Sequence, residues 1–262
     1  MLPTKQELID DAVLSMAYAG MSPDGWQKSV LVSAARRMLM LCARQTGKTT
    51  VTAVLALHVA MSEPRALVLL LSPSLRQSGE LFRSVVAIYR RLGKPLATRR
   101  ESALQMELEN GSRVVSLPDS EATIRGFSGV NMLVIDEAAR VSDALYYTVR
   151  PMLAVSGGRL VALSTPFGKG GWFYREWEGG GEGWERVKIT ADECPRITPE
   201  FLAEEKYSMG SLWFDQEYRC IFVDAAMQFF PGHLVEAAFA REVEPLWADA
   251  LMVSAEVSPL WQ

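Results

Sequence analysis

The amino-acid sequence predicts an α/β fold with a mainly parallel sheet flanked by helices. An apolar run at 39–41 leads into a loop that closes on Gly47-Lys48-Thr49, and a largely apolar helical segment follows at 50–60. Two further apolar runs end in polar pairs, Asp136-Glu137 and Ser164-Thr165. Short continuous apolar runs are typical of buried parallel strands, and such sheets place their ligand chemistry at the carboxyl ends of the strands.

Composition indicates a globular chain. With 262 residues, 49% of them hydrophobic, it is large enough for one large domain or for a core with a small appendage. No run reaches the roughly 18 uncharged apolar residues of a membrane span, and the N-terminus lacks the pattern of a signal peptide. We therefore expect a cytoplasmic protein with no membrane partner. The cysteines, Cys42, Cys194 and Cys220, and the histidines, His58 and His233, are far apart and indicate neither a zinc site nor a disulfide framework.

Charge is unevenly distributed along the chain. The net charge of −4 alone argues against nonspecific binding of nucleic acid. Residues 76–100, however, contain seven basic side chains and one acidic one, whereas residues 191–262 contain thirteen acidic and four basic. Such a protein can bind a polyanion on one side only.

The loop around Gly47 has the features of a phosphate-binding loop. Backbone N–H groups at a helix N-terminus, a lysine (Lys48) and a hydroxyl (Thr49) for Mg²⁺ match the needs of a nucleoside triphosphate. The match is incomplete, because Cys42 occupies the position of the usual first glycine. A strand-loop-helix connection that contains this tripeptide by chance is the alternative. The predicted nucleotide-binding residues of the loop are Gln45, Thr46, Gly47, Lys48, Thr49 and Thr50.

The acidic pair at the end of the second apolar run predicts the catalytic centre. Asp136 is expected to hold Mg²⁺ through water, and Glu137 to polarise the attacking water. Thr165, at the end of a neighbouring strand, is placed to sense the γ-phosphate. An accidental acidic turn and a plain strand-to-turn transition are the alternatives.

Two residues ahead of the loop are candidates for recognition of the base. The amide of Gln27 offers a paired donor and acceptor for the adenine edge, and Trp26 is expected to lie against the base or ribose. The alternative is a surface glutamine and a core tryptophan.

A basic stripe is predicted on the helix that follows the second strand. Arg76, Arg83 and Arg90 recur every seven residues and lie within about 40° of one another, opposite the apolar face. The stripe suits the phosphate backbone of DNA, with an ordinary solvated face as the alternative.

The remaining elements are predicted from periodicity and capping patterns. They are helices at 4–19 and 26–37, a strand at 66–71, a helix from the cap Ser74 to about 92, a hairpin at 104–117, a short helix at 172–177, a strand at 185–190, a helix opening at Thr198 and a last strand or tail segment at 218–223.

Three stretches together resemble one family. They are CARQTGKTT, NGSRVVSLPDSEATIRGFSGVNMLVIDEAA and LSTPFGKGGWFY. In order and spacing they resemble the ATPase domain of the large terminase subunit, the DNA-packaging motor of tailed bacteriophages and related viruses. The resemblance implies a P-loop ATPase of the additional-strand, catalytic-glutamate class with a small C-terminal lid subdomain, using ATP and Mg²⁺.

The resemblance also implies roles and partners. Gln27 falls at the adenine-reading position, Arg44 at the loop arginine that contacts the γ-phosphate, and Arg125 at an arginine that acts on the ATP of a neighbouring subunit. Arg140 and Arg150 are the other candidates for that last role, and a structural arginine that bonds loop carbonyls or Asp119 is the alternative for Arg125. The implied partners are double-stranded DNA, further copies of the chain in a ring, the portal protein and a small terminase subunit, in the host cytoplasm.

The domain prediction is an ATPase core at 1–193 and a lid subdomain with the start of a linker at 194–262. Members of the family carry a nuclease domain of about 100 residues or more, whereas 262 minus 223 leaves 39 residues after Val223. We therefore expect no DNA cleavage from this chain. A helicase-like DNA-dependent ATPase and a nucleotide-dependent scaffold without useful turnover remain the alternative functions; the presence of both Asp136 and Glu137 weighs against the scaffold.

Overall fold

The computed structural model describes residues 2–117, 124 and 126–223. These residues belong to one compact unit, Met1–Val223, and the second unit, Asp224–Gln262, lies outside the described residues. The predicted division between a core and a lid at residue 193 therefore stays a prediction.

One sheet organises the described residues. In chain order its strands are β1 (Arg37–Cys42), β2 (Leu67–Leu71), β3 (Thr98–Glu101), β4 (Gln105–Leu108), β5 (Arg113–Leu117), β6 (Met132–Asp136), β7 (Arg159–Ser164) and β8 (Glu185–Ile189). They are arranged in the order β3-β4-β5-β2-β6-β7-β1-β8. The six strands from β5 to β8 in that order run parallel, and β3, β4 and β5 pair antiparallel. The predicted mainly parallel sheet is confirmed.

Helices cover both faces of the sheet. They are α1 (Lys5–Asp10), α2 (Ala12–Tyr18), α3 (Gly25–Val32), α4 (Lys48–Ser62), α5 (Leu75–Arg91), α6 (Asp143–Val149), α7 (Gly171–Gly179) and α8 (Pro199–Arg219). Because side chains alternate along a strand, Met38 and Met40 of β1 join a hydrophobic cluster with α1–α5. Leu39 and Leu41 join the opposite cluster with α6, α7 and α8. Burial on both faces explains why the central strands are apolar runs.

The N-terminal predictions need two corrections. The single helix expected at 4–19 is two helices, because Asp11 leaves the helical conformation and caps α2 by accepting from Val13 N and Leu14 N. The helix expected at 26–37 ends at Val32, and Arg37 already belongs to β1. The stop frees the chain to enter the sheet five residues later.

The other corrections concern segments whose structure depends on their neighbours. Of the strand or tail segment expected at 218–223, the strand does not form: α8 continues to Arg219, and Cys220 ends it in a left-handed conformation (φ 55°). Strand β3 and helix α6 were not predicted. The caps Ser74 and Thr198 are confirmed, each accepting a backbone N–H of the first turn.

Within the residues described here, no helix has both the length and the apolar character needed to cross a bilayer.

Candidate active site

The predicted phosphate loop connects β1 to α4 and is anchored at its start by backbone hydrogen bonds. Ala43 N donates to Ile189 O (2.8 Å), and Arg44 N donates to Glu217 O (3.0 Å). Cys42, in place of the usual first glycine, is the fully buried last residue of β1. The loop instead takes left-handed backbone at Gln45 (φ 61°) and Gly47 (φ 91°). The missing first glycine is therefore compatible with this turn.

A cavity of about 420 Å³ opens over this loop at the carboxyl ends of β1 and β6. Seven of the predicted site residues line it, together with two that were not assigned to the site, Gln77 and Arg140. The seven are Arg44, Gln45, Gly47, Lys48, Thr49, Thr50 and Glu137. Thr46 is buried, and its hydroxyl donates to Ala43 O (2.9 Å), so this side chain stabilises the loop from within.

Glu137 lies directly opposite the loop lysine. Its Oε1 is 3.5 Å from Lys48 Nζ, and its Oε2 accepts from Arg140 Nη1 at 2.9 Å. The backbone of Glu137 is left-handed (φ 50°, ψ 41°), which is uncommon for a residue with a side chain. This conformation turns the chain sharply after β6 and leaves the carboxylate between two cations.

Asp136, the preceding residue, has a different environment. It is 7% exposed, and its carboxylate accepts the backbone N–H of Glu137 (2.9 Å). Burial, the largest cause, raises the pKa of Asp136 to about 6; the charge of Glu137 adds to this rise, and that of Lys48 opposes it. Because few direct contacts stabilise the negative charge of this buried carboxylate, a bound cation would stabilise it.

The residues around Asp136 fit a hydrated Mg²⁺. The hydroxyls of Ser72 and Ser164 are buried without a hydrogen-bond partner among the described residues. Ser72 directly follows Leu71, whose register partner is Ile135, and Ser164 directly follows Leu163, the partner of Asp136. Because side chains alternate along a strand, Ser72 lies on the face of Asp136, whereas Ser164 lies on the opposite face. Asp136 and the Ser72 hydroxyl, with Thr49 at the start of the facing helix, form a donor set of the kind that Mg²⁺ and its waters prefer.

A second cavity, of about 230 Å³, adjoins the first. Gly47 and Thr50 line both cavities; the rest of its lining consists of Met16, Met21, Ser22, Gln27 and Arg196. Gln27 is 2% exposed; its carbonyl accepts from Asp24 N (2.9 Å) and its amide group donates to Gly47 O (3.5 Å). The structure therefore brings the predicted base-reading glutamine against the phosphate loop.

Trp26 is placed elsewhere. It packs against the hydrophobic cluster under α1–α5, its indole Nε1 is buried without a partner among the described residues, and it lines neither cavity.

Comparison with known proteins agrees with this geometry. Residues 39–236 match the family described as terminase large subunit, T4likevirus-type, N-terminal. The chain belongs to this family. The large terminase subunit of Thermus phage G20c is 23% identical over 81% of this chain and 51% of the relative. The chain thus spans about half the length of the curated relatives it matches.

Solved terminase structures share the fold. The large terminase ATPase domain of Thermus phage P74-26 has a TM-score of 0.70 at 21% identity, covering 79% of this chain and 97% of that one. The large terminase of a thermophilic bacteriophage, solved in complex with ADP, has a TM-score of 0.64 at 13% identity, covering 76% of this chain and 53% of that one. The fold is that of the terminase ATPase domain.

In this terminase chain, the last described helix contributes a carboxylate that the sequence did not reveal. Glu217 of α8 accepts from Arg44 Nε at 2.6 Å, and its other oxygen is 3.8 Å from Arg140 Nη2. Burial acts to raise the pKa of Glu217, but the hydrogen bonds from Arg44 and Gln216 and the charges of both arginines outweigh it and lower that pKa. Arg44, predicted to contact the γ-phosphate, is thus held at the cavity rim by α8.

Arg196 is a second contributor that no motif indicates. It forms a paired contact with the Asp24 carboxylate (2.9 and 2.8 Å) and donates to Thr46 O (3.0 Å). Asp24 caps α3, the helix that carries Gln27. One arginine therefore ties the helix that carries Gln27 to the phosphate loop.

The other predicted residues lie as follows. Thr165 is buried and accepts from Arg140 Nη1 (3.3 Å). Arg150 lines a cavity with Arg36 and Arg37 at the amino end of β1, whereas the phosphate loop follows its carboxyl end. Arg125 lies outside the described residues.

The basic stripe is exposed along α5, as the periodicity predicts. Two of its three arginines have acidic partners: Arg83 pairs with Glu80 and Arg90 with Glu101.

Proposed function

We propose that the chain is the ATP-hydrolysing motor domain of a bacteriophage terminase and moves double-stranded DNA into a procapsid. One observation carries the proposal: at the carboxyl ends of parallel strands, a phosphate loop and its lysine face, 3.5 Å away, a carboxylate able to polarise water. The family membership supplies the biological setting for this chemistry.

The binding step follows from the loop. Backbone N–H groups at the start of α4 and the ammonium of Lys48 bind the β- and γ-phosphates. Lys48 then moves from the Glu137 carboxylate toward the phosphate oxygens, because these carry more negative charge. Gln27 holds the base in the adjoining cavity: its oxygen retains a lone pair for the adenine amino group beside the bond from Asp24 N.

The hydrolytic step uses Glu137. Once Lys48 is engaged by phosphate, the carboxylate orients and polarises a water in line with the γ-phosphate. Mg²⁺, held by Thr49 and through water by Asp136, would neutralise charge on the phosphate oxygens. The hydroxyl of Thr165, which directly follows β7, senses the loss of the γ-phosphate and passes this change to the segment after β7.

The partners in this proposal rest on family membership. They are double-stranded DNA, a ring of further copies, the portal protein and a small terminase subunit, in the host cytoplasm. Arg76, Arg83 and Arg90 are the proposed contacts to the DNA backbone.

The proposal is tested in two stages. The purified chain should release phosphate from ATP, and double-stranded DNA should stimulate that release. With procapsids and a small terminase subunit, DNA should become resistant to added nuclease only when ATP is hydrolysed. Phosphate release without any ATP-dependent DNA protection, in a mixture where a complete terminase protects DNA, would argue against the motor role.

A further inference from the structure

The two oxygens of the Glu137 carboxylate are held by different cations. Lys48 Nζ lies 3.5 Å from Oε1, and Arg140 Nη1 lies 2.9 Å from Oε2. A carboxylate that orients water needs one oxygen free to accept from it. The two contacts therefore have different consequences when a phosphate arrives.

Arg140 is fixed within its own chain. Its Nη1 also donates to Thr165 Oγ1 (3.3 Å), and its Nη2 is 3.8 Å from Glu217 Oε1. The guanidinium carbon lies 4.6 Å from the centre of the Phe167 ring, and the Arg140 backbone N–H donates to Glu137 O (2.9 Å). Only 28% of the side chain is exposed. These contacts hold the guanidinium in place whether or not Lys48 moves.

The contacts of Lys48 are different in kind. Within the described part of the chain its one ion pair is the 3.5 Å contact to Glu137. A triphosphate competes for this ammonium and leaves Oε1 free. Arg140 lines the same cavity, but its planar guanidinium stays held by its contacts to Thr165, Glu217 and the Phe167 ring. Nucleotide binding thus releases one carboxylate oxygen and leaves the other held.

We propose that Arg140 is a positioning residue that acts in the same chain: it holds Oε2 of Glu137 so that Oε1 alone is presented to the attacking water. This inference rests on the proposed ATPase function. It assigns Arg140 a role other than that of an arginine supplied to a neighbouring subunit. The contacts of Arg140 also connect the Glu137 carboxylate to Thr165 and, through Glu217, to α8.

The test compares Arg140→Ala with the parent chain and with Arg175→Ala, which removes an arginine from an exposed ion pair with Asp143. Arg140→Ala should bind a fluorescent ATP analogue within about threefold of the parent, but its kcat should fall about 10²-fold, because a misdirected carboxylate costs roughly this much. Arg175→Ala should match the parent in both. Added guanidinium ion should restore part of the kcat of Arg140→Ala and none of that of Lys48→Ala.

A second arm separates positioning from a general loss of structure. In a Glu137→Gln background, Arg140→Ala should cause no further loss of turnover, because the two residues act as one unit. Arg140→Lys, which keeps the charge but not the planar fork, should retain an intermediate kcat and the parent melting temperature. If Arg140→Ala fails to fold, the Arg140→Lys result decides: a parent-level kcat overturns the proposal.

Two other outcomes would contradict the positioning role of Arg140. Parent-level turnover by Arg140→Ala would mean that Glu137 needs no positioning. Restored activity on mixing Arg140→Ala with Lys48→Ala chains would show that Arg140 acts across subunits. A parent chain that releases no phosphate would instead contradict the proposed function, so the two failures are distinguishable.

Discussion

The adjacent carboxylates Asp136 and Glu137, at the end of β6, lie in different environments because they contact different partners. The Glu137 carboxylate lies between the cations of Lys48 and Arg140. Asp136 is only 7% exposed, and its carboxylate accepts a hydrogen bond from the backbone N–H of Glu137. The sequence predicts the pair from its place after an apolar run. It does not predict the difference, because Lys48 comes from a distant segment and Arg140, three residues on, reaches Glu137 only through the turn that follows β6.

The raised pKa of Asp136, about 6 against an ordinary 3.8, makes stability depend on pH. Between these values the folded chain binds more protons than the unfolded chain, so this residue's contribution to the unfolding free energy falls as pH rises and its cost is complete above pH 6. Asp136→Asn should therefore raise the unfolding free energy at pH 8 by up to about 3 kcal/mol in the absence of Mg²⁺ and nucleotide.

Urea unfolding at several pH values checks this. The difference between Asp136→Asn and the parent should shrink as pH falls from 8 toward 4.5. A difference that stays constant over that range would show that ionisation of Asp136 is not its cause.

Gly47 provides a second prediction at the residue scale. Its φ is 91°, and a Cβ added there would lie 2.8 Å from Gln27 Nε2. Gly47→Ala should destabilise the fold by roughly 1–2 kcal/mol through backbone strain and also displace Gln27, weakening nucleotide binding. Gly20→Ala is the matched control, because Gly20 has φ 81° but open space around its Cβ position.

Melting temperature and affinity for an ATP analogue, measured on both variants, separate the two effects. Both variants should lose stability, and only Gly47→Ala should lose affinity. Equal affinities would mean that the contact between Gln27 and the loop does not matter for binding.

At the scale of elements, helix α5 presents a basic stripe that is partly neutralised by Glu80 and Glu101. If the stripe contacts DNA, reversing Arg76, Arg83 and Arg90 to glutamate should weaken DNA binding for all sequences and flatten its salt dependence. The paired change Glu80→Gln with Glu101→Gln should strengthen binding, because it frees two arginines.

Fluorescence anisotropy with duplex DNA at several salt concentrations measures both, and ATP affinity serves as the control that should not change. Unchanged DNA affinity in both sets of variants would mean that the stripe is an ordinary solvated helix face and does not contact DNA.

The elements that sequence predicts well are those whose signal is local. Apolar runs located the parallel strands, and hydroxyl caps located the starts of α5 and α8. Strand β3 was missed because its residues, Thr98–Glu101, are polar and largely exposed, and it exists only by pairing with β4 at the sheet edge. The helix expected at 4–19 was wrong because Asp11 satisfies two N–H groups more favourably as a cap.

At the scale of the whole molecule, the candidate site combines segments far apart in sequence. The phosphate loop and the acidic pair were predicted from motifs. Glu217 and Arg196 were not, because a side chain that contacts the loop from a later segment leaves no local pattern. Such partners become visible only when the sheet brings β1, β6 and β8 together.

Arg125 remains the predicted arginine that acts on a neighbouring subunit, and it lies outside the described residues. Arg140 has partners within its own chain. Arg150 lies near the amino end of β1, away from the phosphate loop, and pairs with Glu176. Arg125→Ala should keep the ATP affinity of the parent but lose the steep rise of turnover with protein concentration.

Mixing supplies the decisive arm of that experiment. Arg125→Ala chains combined with Lys48→Ala chains should recover turnover, because each supplies what the other lacks. A mixture as inactive as either variant, under conditions where rings form, would assign Arg125 to its own chain or to folding.

The central claim is that Lys48 binds phosphate and Glu137 activates water in one cavity. The most direct measurement determines ATP affinity and single-turnover hydrolysis for Lys48→Ala and Glu137→Gln. Lys48→Ala should lose ATP binding, whereas Glu137→Gln should bind ATP at least as well as the parent and hydrolyse it about 10²- to 10⁴-fold more slowly, because a carboxamide cannot take up the proton of water. Hydrolysis by Glu137→Gln at the parent rate would contradict the account.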